Sequence, residues 1–354
     1  MLSGLLAGLR QRVPGVRCVV LSGDPDATRA MHDVEAHART PAEAWRALAG
    51  ARLLISGGGS LVQDVTSARS ALYYLGVMAA AAWQGVPVAV VGQGVGPIER
   101  QWVRRLAGRA FGRAQILSVR DATSAGVLAD LGVRSPVHVG ADLALIAPAA
   151  DEARARNLLG SVGLDRSRGL IGVAVRPWPG LVDAAGLGDG VRRVAATYGF
   201  RVAVIPFDRR VDGPLSREVA TAAGGELLEV AHPQDLLALV GAMDVVLGVR
   251  LHALVFAVSQ GVPAVGLAYD PKVSAFMSEV NLPGLLSVDA TGLAVAEMLA
   301  RTVDARSVLR SRVKAAQPVL RARAASSLDL VASLLKEDAA KRPDGAGVPR
   351  EWTE

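Results

Sequence analysis

One cysteine in 354 residues excludes an internal disulfide and any thiolate zinc motif. Cys18 sits in the apolar run 16–21, so it reads as a buried small hydrophobe in a reducing compartment. Aromatics make up only 4% of the chain, so its cores must be built mainly from Ala, Val and Leu. No apolar run is long enough to cross a bilayer, because residues 79–91 are interrupted by Gln84, Gly85 and Pro87. Residues 1–9 lack the basic start of a signal peptide and read as a helix, so the expected location is the cytoplasm. Neither a Walker sequence nor G-x-G-x-x-G spacing occurs. Arginine is plentiful but dispersed. The formal charge of +6 comes without a basic block or interleaved aromatics, which argues against nucleic acid as a partner. It leaves room for peripheral contact with an anionic membrane surface.

What the chain does have is alternation. Short apolar runs with strand character lie at Arg17–Leu21, Arg52–Ser56, Pro87–Gly92, Gln115–Val119 and Val137–Gly140. They resume at Leu170–Val175, Arg201–Pro206, Val245–Gly248 and Pro263–Ala268. Helix-like segments separate them, and a long one covers about Val308–Lys336. Such βα units predict parallel sheets. A Pro- and Gly-containing, charged break at 147–168 marks a domain boundary. The expectation is an α/β chain with one Rossmann-like domain over 1–150 and a second over 165–336, which carries the long C-terminal helix. A mobile tail is expected over 337–354. The halves echo each other: strand, ligand-type turn, helix, Gly-Val-Pro, strand, loop. That predicts two Rossmann-like domains facing across a cleft, with ligands at the carboxyl ends of the strands. The first element reads as a helix over 3–12 where such a domain usually opens with a strand. The expectation is an atypical start or a missing βα opening.

Two stretches carry the chemistry. Gly57-Gly58-Gly59-Ser60 turns a strand toward a helix, and its amides can face an anion; a plain tight turn is the alternative. Asp64 is either a general base or an acid placed near a helix start. Arg120 follows a strand, where it can fork onto a carboxylate or phosphate, and Asp121 reads as a helix cap; a plain surface role for the pair is the alternative. Arg250-Leu251-His252 lies just past the strand 245–248, so Arg250 and His252 are expected to project while Leu251 points inward. Histidine is suited to proton exchange near neutral pH. Asp270-Pro271 caps a helix start and puts Lys272 there, where a cation makes sense opposite a ligand phosphate. No metal-ligand spacing is present, so no metal and no cofactor are expected. An Arg, a His and a Lys at these turns suit a small phosphorylated carboxylate.

Together these segments resemble the polysaccharide pyruvyl transferase family, in its bacterial CsaB-type branch. The resemblance rests on GGGSLVQDVTSARSALYYL, GVPVAVVGQGVGPI, LSVRDATSAGVLADLGV and DVVLGVRLHALVFAVSQGVPAVGLAYDPKVSAF, and covers most of 51–140 and 244–276. It implies a glycosyltransferase-B-like fold. It also implies transfer of the pyruvyl group of phosphoenolpyruvate, a co-substrate, onto a sugar as a cyclic 4,6-ketal. For that branch the acceptor is N-acetylmannosamine of a lipid-linked secondary cell-wall polymer precursor at the inner membrane face, in support of surface-layer anchoring. By the same resemblance Arg120, His252 and Lys272 match phosphoenolpyruvate-binding positions, Arg250 belongs to their motif, and Asp64 matches an acidic position after the glycine turn. Gly57, Gly58, Gly59 and Ser60 complete the expected substrate contacts. His252 is the expected acid and Asp64 the expected base. The alternatives are a nucleotide-sugar glycosyltransferase or epimerase of the same fold, and a non-catalytic cell-wall-polymer-binding protein.

Overall fold

A computed structural model describes residues 1–341 apart from Thr66, Pro148 and Ala231. Two compact units emerge, one formed by Met1–Ala147 and the chain from Leu320 onward, the other by Pro148–Val319.

The first unit opens with helix α1 (Leu2–Arg12), then β1 (Val19–Ser22), α2 (Pro25–His32), β2 (Glu35–Ala38) and α3 (Pro41–Leu48). It continues through β3 (Leu54–Gly57), α4 (Ala68–Trp83), β4 (Val88–Gln93), α5 (Gln101–Phe111), β5 (Ile116–Val119), α6 (Ala122–Asp130) and β6 (His138–Val139). A 3₁₀ turn follows at Leu143–Ile146. Strands β3-β4-β5-β6 form a parallel four-stranded sheet in chain order; β1 and β2 pair in parallel as a separate ribbon.

Strand β4 is buried along its whole length because both sheet faces are covered, which is why it reads as an unbroken apolar run. On one face Val88 and Val90 pack with Leu75 and Met78 of α4 and Val103, Ala107 and Phe111 of α5. On the other, Ala89 and Val91 pack with Leu9 of α1. The sequence places Cys18 in a core, but it is only half buried. It lies just before β1, which pairs with β2 alone and has no fully buried position. What burial there is pushes the Cys18 thiol pKa up.

The second unit contains α7 (Glu152–Gly160), β7 (Leu170–Ala174), α8 (Ala184–Tyr198), β8 (Arg201–Val204), α9 (Gly213–Ala223) and β9 (Glu226–Leu227). Then come α10 (Pro233–Gly241), β10 (Val245–Gly248), α11 (Leu251–Ser259), β11 (Ala264–Ala268), α12 (Pro271–Glu279), β12 (Leu285–Ser287) and α13 (Gly292–Asp304). The six strands are parallel, in the order β12-β11-β10-β7-β8-β9. Read from β9, this is the doubly wound 3-2-1-4-5-6 order, whose direction reverses between β7 and β10. Alternation sorts the side chains: Ile171, Val173 and Val175 face Leu187, Val191, Val219 and Leu299 of the helix layer.

The last helix, α14 (Arg306–Lys341), carries Pro318 inside it, beside the Val319/Leu320 division between the units. Its closing turns belong to the first unit, although the sequence reading groups them with the second domain. Leu328, Val331 and Leu335 bury against Leu9, Ala89 and Val91, and Ser327 bonds Ser118 at 2.7 Å. The helix reaches Lys341, so the expected tail from 337 begins as helix, and its 342–354 part lies outside the described residues. No described helix is long and apolar enough to cross a membrane.

Candidate functional site

In the first unit, the carboxyl ends of β3, β4 and β5 bring Ser60 and Arg120 together. Arg120 Nη2 donates to Ser60 Oγ at 3.0 Å, and Nε donates to Asp121 Oδ2 at 3.1 Å. Its Nη1 lies 3.5 Å from Asp142 Oδ2. The guanidinium is buried (side chain 6% exposed) and lies against Gly94, where a Cβ would come within 2.5 Å of Nη2. A side chain at position 94 would have to move the guanidinium. Asp121 also caps α6, accepting from the Ser124 amide at 2.7 Å, as the sequence predicts.

The glycine turn is bonded differently from an open anion cradle. Gly58 and Gly59 have φ of 70° and 65°, a conformation glycine takes without strain. Gly58 N–H donates to the Val91 carbonyl at 3.0 Å, and Gly59 N–H points to Met1 Sδ at 3.0 Å. These amides are therefore engaged, and Ser60 is the member of the turn that meets a charged partner.

Asp64 has both oxygens in use. Oδ1 accepts from the Glu99 amide at 2.8 Å and Oδ2 from the Arg100 amide at 2.8 Å. Arg100 Nη1 in turn donates to the Asp64 carbonyl at 2.6 Å. The carboxylate is fully buried and ties the loop after the glycine turn to the entry of α5. Asp64 thus stands at the start of α5, where a helix dipole favours an acid.

In the second unit, three expected residues stand at the carboxyl ends of neighbouring strands. Arg250 is the residue before α11 and His252 lies in its first turn; both are half buried while Leu251 is buried, as predicted. Arg250 forks onto Asp212: Nε to Oδ2 at 2.8 Å and Nη2 to Oδ1 at 2.5 Å. Asp212 is wholly buried and also accepts from the Asp208 amide at 2.9 Å. Asp270 caps α12, accepting from the Lys272 amide at 3.0 Å and from Lys272 Nζ. Nζ also lies 4.9 Å from the centre of the Tyr269 ring.

Sequence reasoning missed Arg176, Trp178 and Asp212. Arg176 lies two residues past β7, on one side of the point where the strand order reverses; Arg250 and His252 follow β10 on the other. That crevice is the standard ligand position of an open α/β sheet. The Arg176 guanidinium lies 5.2 Å from the Trp178 ring and 5.5 Å from Tyr269, and those rings are 4.7 Å apart. The signal was available: Arg120, Arg250 and Arg176 all follow a strand end. Asp212 was not legible, since 38 residues separate it from Arg250.

No group of three or more His, Cys, Asp or Glu among the described residues could hold a metal ion. The chemistry on offer is cationic: guanidinium, imidazole and ammonium groups at strand ends and helix starts, where helix dipoles add to the attraction for an anion.

The sequence profile of the polysaccharide pyruvyl transferase family matches residues 1–271. Comparison with curated proteins gives no significant match. Among solved structures, the chain is similar to a UDP complex of MnaA from S. aureus, with a TM-score of 0.67 and 15% identity over 99% of this chain and 96% of that one. A putative UDP-N-acetylglucosamine 2-epimerase from Listeria monocytogenes gives 0.65 and 14%, over 98% and 94%. The UDP-GlcNAc 2-epimerase of Neisseria meningitidis, bound to UDP-GlcNAc, gives 0.65 and 12%, over 95% and 96%. At such identity the likeness establishes the fold, glycosyltransferase-B-like with parallel sheets, and nothing about substrate.

Proposed function

The chain belongs to the polysaccharide pyruvyl transferase family, an enzyme family with a phosphoenolpyruvate donor and a polysaccharide acceptor, and we propose that it forms a 4,6-ketal on N-acetylmannosamine of a lipid-linked cell-wall polymer precursor. This is the reaction of the CsaB-type branch, whose motifs the sequence resembles, and it would serve surface-layer anchoring. The observation that carries the reading is the grouping of Arg250, His252 and Lys272 at the starts of α11 and α12, beside the strand-order reversal.

The roles follow from the chemistry of the donor. Lys272 and Arg176 supply positive charge for its carboxylate and phosphate, and Arg250, braced by Asp212, supports them. Arg120 is assigned to the donor on its motif alone. His252, protonated, gives a proton to the methylene carbon, leaving an oxocarbenium-like centre at the middle carbon. One sugar hydroxyl attacks that carbon and loses its proton to the now neutral His252. The bond from carbon to phosphate oxygen then breaks, inorganic phosphate leaves, and the second hydroxyl closes the ketal, its proton departing with phosphate. The cations stabilise charge as the phosphate leaves. Asp64, whose oxygens are both bonded to amides, is assigned to holding the loop before α5 rather than to the base role.

The test is phosphate release from phosphoenolpyruvate with and without a synthetic N-acetylmannosaminyl acceptor. Acceptor-dependent release, with product heavier by one ketal-linked pyruvyl group, is expected. Absence of release together with tight binding of a uridine nucleotide would replace this reading by the nucleotide-sugar one, which draws on the fold shared with the UDP-GlcNAc 2-epimerases.

A further inference from the structure

Helices α3, α4 and α5 lie on one face of the four-stranded sheet. Their inner sides bury Leu48, Leu75, Met78, Val103 and Phe111 in one core. Parallel crossovers of one hand place α4 and α5 in the same layer, and each touches its neighbour. Their outer sides therefore face away from the sheet together. Those outer sides are unusual for a surface. Trp83 is 77% exposed, Trp45 and Trp102 each 44%, Leu72 40% and Leu106 39%. Trp45 and Trp83 lean on each other across the α3–α4 seam, ring centres 5.0 Å apart.

Charge along α4 and α5 is almost all positive. Residues 65–113 hold six arginines and a single acid, Glu99. Along α5 and just beyond it, Arg105, Arg109 and Arg113 recur every fourth residue, beside Trp102 and Leu106. All three are exposed, and none forms an ion pair among the described residues; nor does Arg69 on α4. The nearest acid on α3, Glu43, is engaged by Arg46 at 2.5 Å.

We infer that this layer is a docking surface for an anionic lipid bilayer. Exposed tryptophans seat at the level of lipid headgroups, where an amphipathic ring is half wet. Arginines beside them reach anionic headgroups while their stems lie on apolar surface. A second copy of the chain fits worse, since a two-fold contact would set this arginine row against itself without acids to compensate. The surface rests on these residues alone and not on the reaction proposed above. A lipid-carried acceptor would give it a use.

The test is co-sedimentation of the full chain with vesicles of phosphatidylcholine, alone or mixed with phosphatidylglycerol. Binding only to the mixed vesicles, falling steeply with added salt, is expected. The variant carrying Arg105→Glu, Arg109→Glu and Arg113→Glu should bind them more than about tenfold more weakly. Trp83→Ser should also weaken binding, at unchanged phosphate release with a soluble acceptor. If the triple variant misfolds by circular dichroism, Arg109→Gln with Arg113→Gln replaces it, with a smaller loss expected. Equal binding by folded variant and parent, or no binding to anionic vesicles, overturns the inference. So does a dimer in solution that Trp83→Ser dissociates, which would assign the face to a second copy.

Discussion

Arg250 lies fork to fork on Asp212, with Nε and Nη2 each donating to a different carboxylate oxygen. The sequence marks Arg250 as a group that reaches a ligand. The structure shows two of its nitrogens spent inside the protein, on a carboxylate with no exposure. Such bidentate pairs fix a guanidinium plane as well as stabilising it. Asp212→Asn should lower stability by about 1.5–3 kcal/mol, read from the urea midpoint. It should also raise KM for phosphoenolpyruvate more than it lowers kcat, because Arg250 loses its orientation. Arg250→Lys should not restore it, since an ammonium cannot match the fork. An unchanged midpoint in Asp212→Asn would show that the pair contributes nothing.

Asp64 separates two accounts of the same residue. As an anchor for Glu99 and Arg100, its replacement by Ala should cost about 1–3 kcal/mol of stability through two amides left without their acceptor. Asp64→Asn should keep one acceptor, cost less, and retain most of kcat in the folded fraction. As a general base, Asp64→Asn would instead lose roughly 10²–10⁴ in kcat with little change in stability. Urea titration and steady-state phosphate release on the same preparation distinguish these outcomes.

Arg120 is compensated by two carboxylates, Asp121 and Asp142, and bonded to one neutral group, the Ser60 hydroxyl. An incoming anion displaces the neutral partner at least cost. Ser60→Ala should therefore leave phosphoenolpyruvate binding within a few-fold, on the order of 1 kcal/mol at most. Arg120→Ala should abolish measurable turnover and destabilise the unit, since Asp121 and Asp142 lose their shared cation. A calorimetric affinity for phosphoenolpyruvate that is unaltered in a folded Arg120→Met variant would remove Arg120 from the donor's contacts.

His252 and Lys272 should fail in different ways. His252→Asn removes the proposed proton donor and should reduce kcat by roughly 10²–10⁴ with a modest change in KM. Lys272→Met removes the charge proposed to bind the donor and should act mainly on KM. Identical kcat and KM changes in the two variants would mean that neither role is assigned correctly.

The strands were legible because parallel strands covered on both faces leave long apolar runs such as 88–91 and 245–248. Edge strands were not: β9 and β12 span only Glu226–Leu227 and Leu285–Ser287, and both are only partly buried, so they carry little apolar pattern. The caps Asp121 and Asp270 could be read locally, since a cap bonds an amide two or three residues along.

The sequence by itself determined the βα alternation, the family motifs and which residue types stand at strand ends, because these depend on neighbours a few positions apart. Tertiary structure decided what those residues hold. It gave Arg250 to Asp212, Asp64 to the amides before α5, Ser60 to Arg120, and the closing turns of α14 to the first unit. The strand order that sets Arg176 and His252 on either side of one reversal is likewise its work. Each of these pairings joins residues tens or hundreds of positions apart. Hydrogen bonding and burial select such partners in space, and no local period records them.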